Sequence, residues 1–363
     1  MSLAKSSKPH PPPCGEGLGG GEPHAPHPIQ HSPCIPTHSL FHTRAFPGED
    51  ALAKRKIAVI GIGKISQDQH LPVIDKSKDF ELAACVSTRG IGHGDVPVFK
   101  TAAELYRAMP EVNLVAVCTP PSVRHAIVRE ALDYGKDVLM EKPPTPTISE
   151  LDDLRAYARK KNLVLFQTWH SRYNAAVDKA RSILRKQGVA SVRIDWRESV
   201  RKWHPGQDWV WEAGGFGVCD PGINALSIFT KIMPFPVFVK SAVLKFPANR
   251  QSPVDAEIVF KSAEPHQPEM SAGFNWLEES GEIWTITIQT LEGNELKLEK
   301  GGTVLKVNGK TKVEQPSEEY ERIYEHFAEL LKKGKSEVED APLRLTADAF
   351  LLASRYNVDE FHW

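Results

Sequence analysis

The chain has 363 residues, room for two domains each with its own core. Its 45 basic and 46 acidic residues nearly cancel, which gives no electrostatic reason to expect a nucleic acid or an anionic membrane as partner. No apolar run reaches the roughly 18 residues that a spanning helix needs. The five cysteines are scattered, and Cys85 and Cys118 sit in apolar runs, so they read as buried free thiols of a cytoplasmic protein.

Residues 1–55 hold ten of the 28 prolines and six of the 14 histidines, but only two aromatics, Phe41 and Phe46. Such a segment buries too little apolar area to offset its ordering entropy, so a disordered tail is expected. It lacks the apolar core of a secretory signal. His24, His27 and His31 would suit a metal, but a plain unstructured tail is the simpler reading, and no metal site is expected elsewhere.

Lys56–Gly63 is an apolar run that ends in glycines, as a buried first strand does. It opens the pattern Gly61-x-Gly63-x-x-Ser66, a degenerate phosphate-binding fingerprint: Gly61 for the tight turn, Gly63 for close approach of a pyrophosphate to the next helix, whose first residues are Lys64 and Ile65. Apolar runs at 80–87, 112–119 and 137–140 alternate with helical spacing, above all over 122–134. The alternation predicts a doubly wound parallel sheet over 56–170, with ligands at the carboxyl ends of its strands. Ser87, Thr88 and Arg89 stand where an acidic residue would select NAD, so NADP is expected beside NAD. Thr119, Pro120 and Lys142 fall at later strand ends, and Pro143-Pro144 fixes the exit of the chain, one of the two bonds being a candidate cis bond.

Four of the eight tryptophans fall within 196–227, together with Glu198, His204, Asp208, Asp220 and Asn224. Flat rings beside carboxylates and amides suit a polyhydroxylated ligand; a surface loop with Trp anchors is the bland alternative. Asp220 reads as the N-cap of an apolar helix with Pro221 at its first position, and Asn224 shares its face one turn on. Beyond residue 230, strands are expected at 236–246, 256–261, 270–276, 283–290 and 295–299, forming a mainly antiparallel, open-faced sheet with a partly apolar outer face. Tyr320, Ile323, Tyr324, Phe327, Leu330 and Leu331 make a helical stripe, and a last helix, 343–355, is expected to return to the first domain. The expected class is therefore α/β: a Rossmann domain at 56–170, an α+β domain at 171–340, and a returning helix within 341–363.

The Gly-x-Gly, the Glu-Lys-Pro-Pro at 141–144 and an Asp with a polar partner four residues on resemble the Gfo/Idh/MocA oxidoreductases, from residue 56 to the C-terminus. The runs at 63–72, 169–172, 203–207 and 220–228 resemble the members that act as aldose 1-dehydrogenases on galactose and L-arabinose. One departure from the wider family is Asn224, where inositol-type members carry histidine. The resemblance implies oxidation of an aldopyranose at its anomeric carbon to a lactone, with NAD or NADP. It implies Asp220 as the base with Lys142 next, Asn224 for orientation, and His170, Glu198, Trp203 and His204 lining the sugar. It places His125 and Glu141 with the cofactor group, and it implies a homodimer, or a dimer of dimers, through the open sheet. A relative acting on another cyclic polyol or an imine, or a non-catalytic nucleotide- or sugar-binding protein, remains open at this point.

Overall fold

The computed structural model describes residues 54–363, so the reading of His24, His27 and His31 lies outside the described residues. Strand β1 (Arg55–Ile60) is fully buried from Ile57 onward, as a central strand covered on both faces must be. After Gly61 the chain enters a helix whose π-helical turn, Ser66–His70, runs into α1 (Leu71–Lys76). Then come β2 (Phe80–Val86), β3 (Val98–Phe99), α2 (Ala102–Ala108), β4 (Leu114–Val117), α3 (Pro121–Asp133), β5 (Asp137–Met140), α4 (Ile148–Lys161) and β6 (Leu165–Gln167). The six strands pair in parallel in the order β3-β2-β1-β4-β5-β6. The order reverses between β1 and β4, and a doubly wound sheet binds its ligand at such a reversal.

The second half continues with a helical turn at His170–Tyr173, α5 (Ala175–Gln187), β7 (Ser191–Arg197), α6 (Val200–Trp203) and α7 (Cys219–Ile232). Seven strands follow: β8 (Val237–Pro247), β9 (Asp255–Ser262), β10 (Glu269–Asn275), β11 (Ile283–Gln289), β12 (Glu295–Glu299), β13 (Val304–Val307) and β14 (Lys310–Glu314). Helices α8 (Glu319–Lys333) and α9 (Ala341–Leu352) lead to β15 (Ala353–Val358). The nine strands order as β14-β13-β12-β11-β7-β10-β9-β8-β15, with β7–β10 and β8–β15 parallel and the rest antiparallel. The expected fold class therefore stands, with bounds shifted by up to about three residues and with β3, β7, β13 and β14 not foreseen.

Three expectations about this half can be set against the structure. First, the outer sheet face is partly apolar as expected, with Phe238, Val259 and Ile283 exposed on it, but it also carries many charges. On β7, Val192, Ile194 and Trp196 are buried, while Arg193, Asp195 and Arg197 point the other way. Arg193 pairs with Asp195 and Glu257, and Lys245 with Asp255, so ion pairs cover much of that face. Second, α8 makes the return to the nucleotide sheet. Its stripe of Tyr320, Ile323, Tyr324 and Phe327 packs with Ile57, Val59, Leu71 and Phe80 in one core cluster. Third, the last helix packs chiefly on α7 and β8, touches α4 only at its margin, and stops at Leu352. Residues 353–358 are not helical; they add an edge strand beside β8, where the main chain finds partners that a helix end would leave unmade.

Candidate active site

At the end of β1 the sequence Gly-Ile-Gly does its work through the backbone. Gly61 has φ +91°, and a Cβ there would sit 2.8 Å from Thr119 Cγ2 and 3.0 Å from Thr119 N, so β1 and β4 end too close together for any side chain. Around Gly63 no heavy atom lies within 4 Å of an added Cβ, which leaves its main chain open to approach. The first helical amides beyond it receive no side-chain cap. Ser66, the third residue of the fingerprint, is buried and donates its hydroxyl to Gly63 O at 2.9 Å, so it tightens the turn from inside. The Thr119 hydroxyl, buried at the end of β4, has no partner. A tight turn, an open main-chain approach, free helix-start amides and an orphan hydroxyl fit a nicotinamide dinucleotide at this crevice. Arg89 reaches across from the end of β2 and donates to Ile62 O at 2.9 Å, which fixes its guanidinium over the same loop. Ser87 accepts from Ile91 N and holds the turn that carries Thr88 and Arg89.

Across the crevice the groups are charged side chains. Lys142, just after β5, has Nζ 3.4 Å from both carboxylate oxygens of Asp220 and 3.2 Å from Asp220 O. His204 Nε2 lies 3.3 Å from Asp220 Oδ2. Burial alone would raise the Asp220 pKa, but the Lys142 charge and the His204 hydrogen bond pull it down to about 2. Asp220 is 2% exposed, so this carboxylate is a fixed buried anion rather than a solvated cap. Asn224 lies one turn further along α7, half-buried, and its amide makes no hydrogen bond within the described chain.

Glu198 closes the other side. It sits just past β7 and accepts the indole N–H of Trp284 at 2.9 Å and of Trp276 at 3.4 Å. Burial pushes its pKa up to about 7, against the two indole bonds and the charges of His204 and Lys142. Trp196, Trp284 and Trp203 form a ladder of rings with centroids 5.9 and 5.5 Å apart. His204 stands edge-on to Trp209 and Trp276.

The model of the Gfo/Idh/MocA oxidoreductase family, described by its NAD-binding Rossmann fold, matches residues 55–168. Galactose 1-dehydrogenase of Pseudomonas fluorescens is 40% identical over 307 residues, which cover 85% of this chain and 98% of that protein. The chain belongs to the Gfo/Idh/MocA oxidoreductase family. The crystal structure of D-galactose-1-dehydrogenase from Rhizobium etli superposes with a TM-score of 0.81 at 43% identity, over 86% of this chain and 99% of that one. A 3-ketoreductase from Actinomadura kijaniata, solved with NADP, shares the fold at a TM-score of 0.72 and 18% identity, covering 84% of this chain and all of that one.

Within this family framework the partners of the expected residues can be stated one by one. Asp220 is no N-cap: α7 begins at Cys219, one residue earlier, with Val218 at the cap position and no side-chain cap. Glu141, expected at the cofactor, is buried behind Lys142. It accepts from Tyr320 OH at 2.8 Å and from Lys142 N at 2.7 Å, and it pairs with His70 at 3.0 Å. Burial would raise its pKa, but His70 above all brings it down to about 2. Burial likewise opposes charge on His70, yet the acceptors Cys118, Tyr324 and Glu141 leave its pKa well raised. His125, also expected at the cofactor, pairs with Asp153 on α4 at 2.9 Å. Lys64 pairs with Asp68 one turn on. His170 hydrogen-bonds Glu319 at 2.8 Å and stacks on Tyr320, so it joins the support behind Lys142 rather than the Lys142–Asp220–His204 group. Of the four clustered tryptophans, Trp196 and Trp211 are buried core, and Asp208 pairs with Arg250 and Trp363 away from the site.

Sequence reasoning missed Arg124. It is 2% exposed and donates to the carbonyls of Thr119, Glu141 and Pro143, which ties the ends of β4 and β5 together around the cis Lys142–Pro143 bond. Burial lowers its pKa to about 10 while Glu141 and Asp220 oppose that change. A basic residue in the first turns of α3, beside a histidine already picked out, was the available signal. His70 was likewise visible in the 63–72 run, but Tyr324, its hydrogen-bond partner, and Tyr320, edge-on to its ring, lie some 250 residues away along the chain.

Proposed function

We propose that this chain oxidises the pyranose form of D-galactose at the anomeric carbon to the lactone, using NAD or NADP, and that L-arabinose is a second substrate. The observation that carries the reading is the buried Lys142–Asp220–His204 group facing an unengaged Asn224 amide across the crevice from an open Gly-x-Gly turn. When bound, the nicotinamide takes up the hydride from the anomeric carbon. Lys142 stabilises the negative charge that develops on the anomeric oxygen. Asp220, with a pKa of about 2, is too weak a base to act alone and serves as the fixed charge that holds Lys142 and His204. This reverses the order expected from the sequence. As the hydride leaves, the hydroxyl proton passes to the His204 imidazole, and Asp220 stabilises the cation so formed. Asn224 and Glu198 take ring hydroxyls, and the Trp203–Trp284 rings cover a C–H face.

Galactose and L-arabinose share ring stereochemistry and differ by one hydroxymethyl group, and a group of that size supports only modest selectivity. Arg89, anchored on Ile62 O, supports use of NADP. We further propose a cytoplasmic homodimer, or a dimer of dimers, through the open sheet; a helix-free, ion-paired face supports it. Among the described residues no helix is long and apolar enough to cross a membrane. A rate matrix of many aldopyranoses and cyclic polyols against both cofactors tests the reading. Turnover of galactose and arabinose above all others is expected; none on any aldose, or a preference for a polyol, overturns it.

A further inference from the structure

A second cavity, of about 260 Å³, lies beside the support network and outside the group around Lys142 and Asp220. Its cationic wall is built from Arg172 on the turn after β6, Arg181 on α5 and Lys231 near the end of α7. Arg172 is only 18% exposed, yet its guanidinium donates no hydrogen bond within the described chain and has one loose ion pair, Glu339 at 3.8 Å. Arg181 makes no ion pair or hydrogen bond there, while Lys231 is held by Asp178 at 2.9 Å and by Arg172 O at 2.8 Å. Burial lowers the pKa of Arg172 and of Lys231, opposed by Glu339 and Asp178, and Arg181 adds to the depression in both, so the cations repel one another. A half-buried arginine fork that donates no hydrogen bond matches a carboxylate or phosphate.

The rest of the lining narrows the ligand. Glu337, paired with His326, and Glu339 also face the cavity, so the three cations outnumber the lining carboxylates by one, and Asp178, which holds Lys231 from outside the lining, reduces that surplus further. That balance suits a monoanion and disfavours a dianion such as phosphate. Gln167, 2% exposed, lines the cavity with its Oε1 unpartnered, and with the two carboxylates it makes a set of acceptors for hydroxyl donors. Trp169 and Tyr173 supply flat apolar walls. We propose that this cavity binds a small monoanionic carboxylate bearing hydroxyl groups, its carboxylate on Arg172 and Arg181 and its hydroxyls on the acidic side. An aldonate has this chemistry, and hydrolysis of the lactone formed by the reaction proposed above yields one; the choice of probe rests on that reading.

The test is a calorimetric titration of the full chain with galactonate, without cofactor and at constant ionic strength, with inorganic phosphate and D-galactose as competitors. One saturable site is expected. It should persist in Asp220→Asn and Glu198→Gln, weaken at least about tenfold in Arg181→Ala and in Arg172→Met, and resist phosphate and galactose at equal concentration. Galactose turnover by Arg181→Ala should match the unmodified chain. Absence of saturable binding overturns the proposal. So does binding that Asp220→Asn removes and Arg181→Ala spares, or equal competition by phosphate. Galactonate binding in a chain that oxidises no sugar contradicts the proposed function and leaves this site standing.

Discussion

The two sides of the crevice are built in opposite ways. The nucleotide side is made by the main chain: a left-handed glycine, an open amide approach and an uncapped helix start, with little fixed charge of its own. The proposed sugar side is made by side chains: a buried anion held by two basic groups, a second carboxylate held by two indoles, and an amide left free. A backbone site needs its turn geometry and tolerates most side-chain change. A buried charged site needs every partner, because a charge that loses one pays desolvation uncompensated. Substitutions on the two sides should therefore fail differently.

The largest effect is expected on the sugar side. Asp220→Asn and Lys142→Met should each lower kcat by about 10²–10⁴-fold with cofactor affinity little changed, measured by steady-state kinetics beside dinucleotide titration. A parallel loss of cofactor affinity would dissolve the contrast. Next, Arg124→Met should destabilise the fold by about 3–5 kcal/mol in urea unfolding, because it strips buried carbonyls of a charged donor and leaves Glu141 and Asp220 with less positive charge nearby. Arg124→Lys should recover part of the stability but not the bridging of three carbonyls, and so little of kcat.

Gly61→Ala probes the other side. The added Cβ meets Thr119 at 2.8 Å in a strained backbone region, so KM for the cofactor should rise and stability fall by about 1–3 kcal/mol. The pH dependence of stability separates the two carboxylates. Glu198 has a folded pKa of about 7, above its ordinary 4.5, so the folded chain holds the extra proton. Its contribution is full below pH 4.5 and is lost as pH rises through 7, about 3 kcal/mol in all. Asp220, lowered to about 2, contributes above its ordinary value and loses that contribution as pH falls toward 2. Glu198→Gln should flatten the upper decline and leave the acid limb intact, as read from urea unfolding at a series of pH values. The smallest effect is expected for Arg89→Ala, which should raise KM for NADP about tenfold and leave NAD nearly unchanged.

What the sequence made legible follows the same division. A phosphate-binding turn is a local pattern, so Gly61, Gly63, the strand spacing and the switch between β1 and β4 could be read from one stretch of chain. The proposed catalytic pairing was readable only as types: Lys142 and Asp220 stood out, but the contact of His204 with Asp220 joins a loop to a helix start and has no local signature. Glu141 was expected at the cofactor because it flanks a cofactor motif, and His70 drew no expectation; that they bond to Tyr320 and Tyr324 of α8, some 180–250 residues on, has no local signature. The Trp-rich segment mixes pocket and core because indoles serve both, and only burial separates Trp196 and Trp211 from Trp203 and Trp209. Strand β7, which runs into the start of that segment, was not among the expected strands although its alternation is clean.

The central claim is that the Lys142–Asp220–His204 group faces the anomeric carbon of an aldose. D-galactose carrying deuterium at C1, incubated with the full chain and NAD, tests it most directly. The account predicts that the deuterium appears on the nicotinamide ring by NMR, with lactone formed in equal amount and kcat lowered relative to unlabelled sugar. Deuterium retained on the sugar while the cofactor is reduced would contradict it.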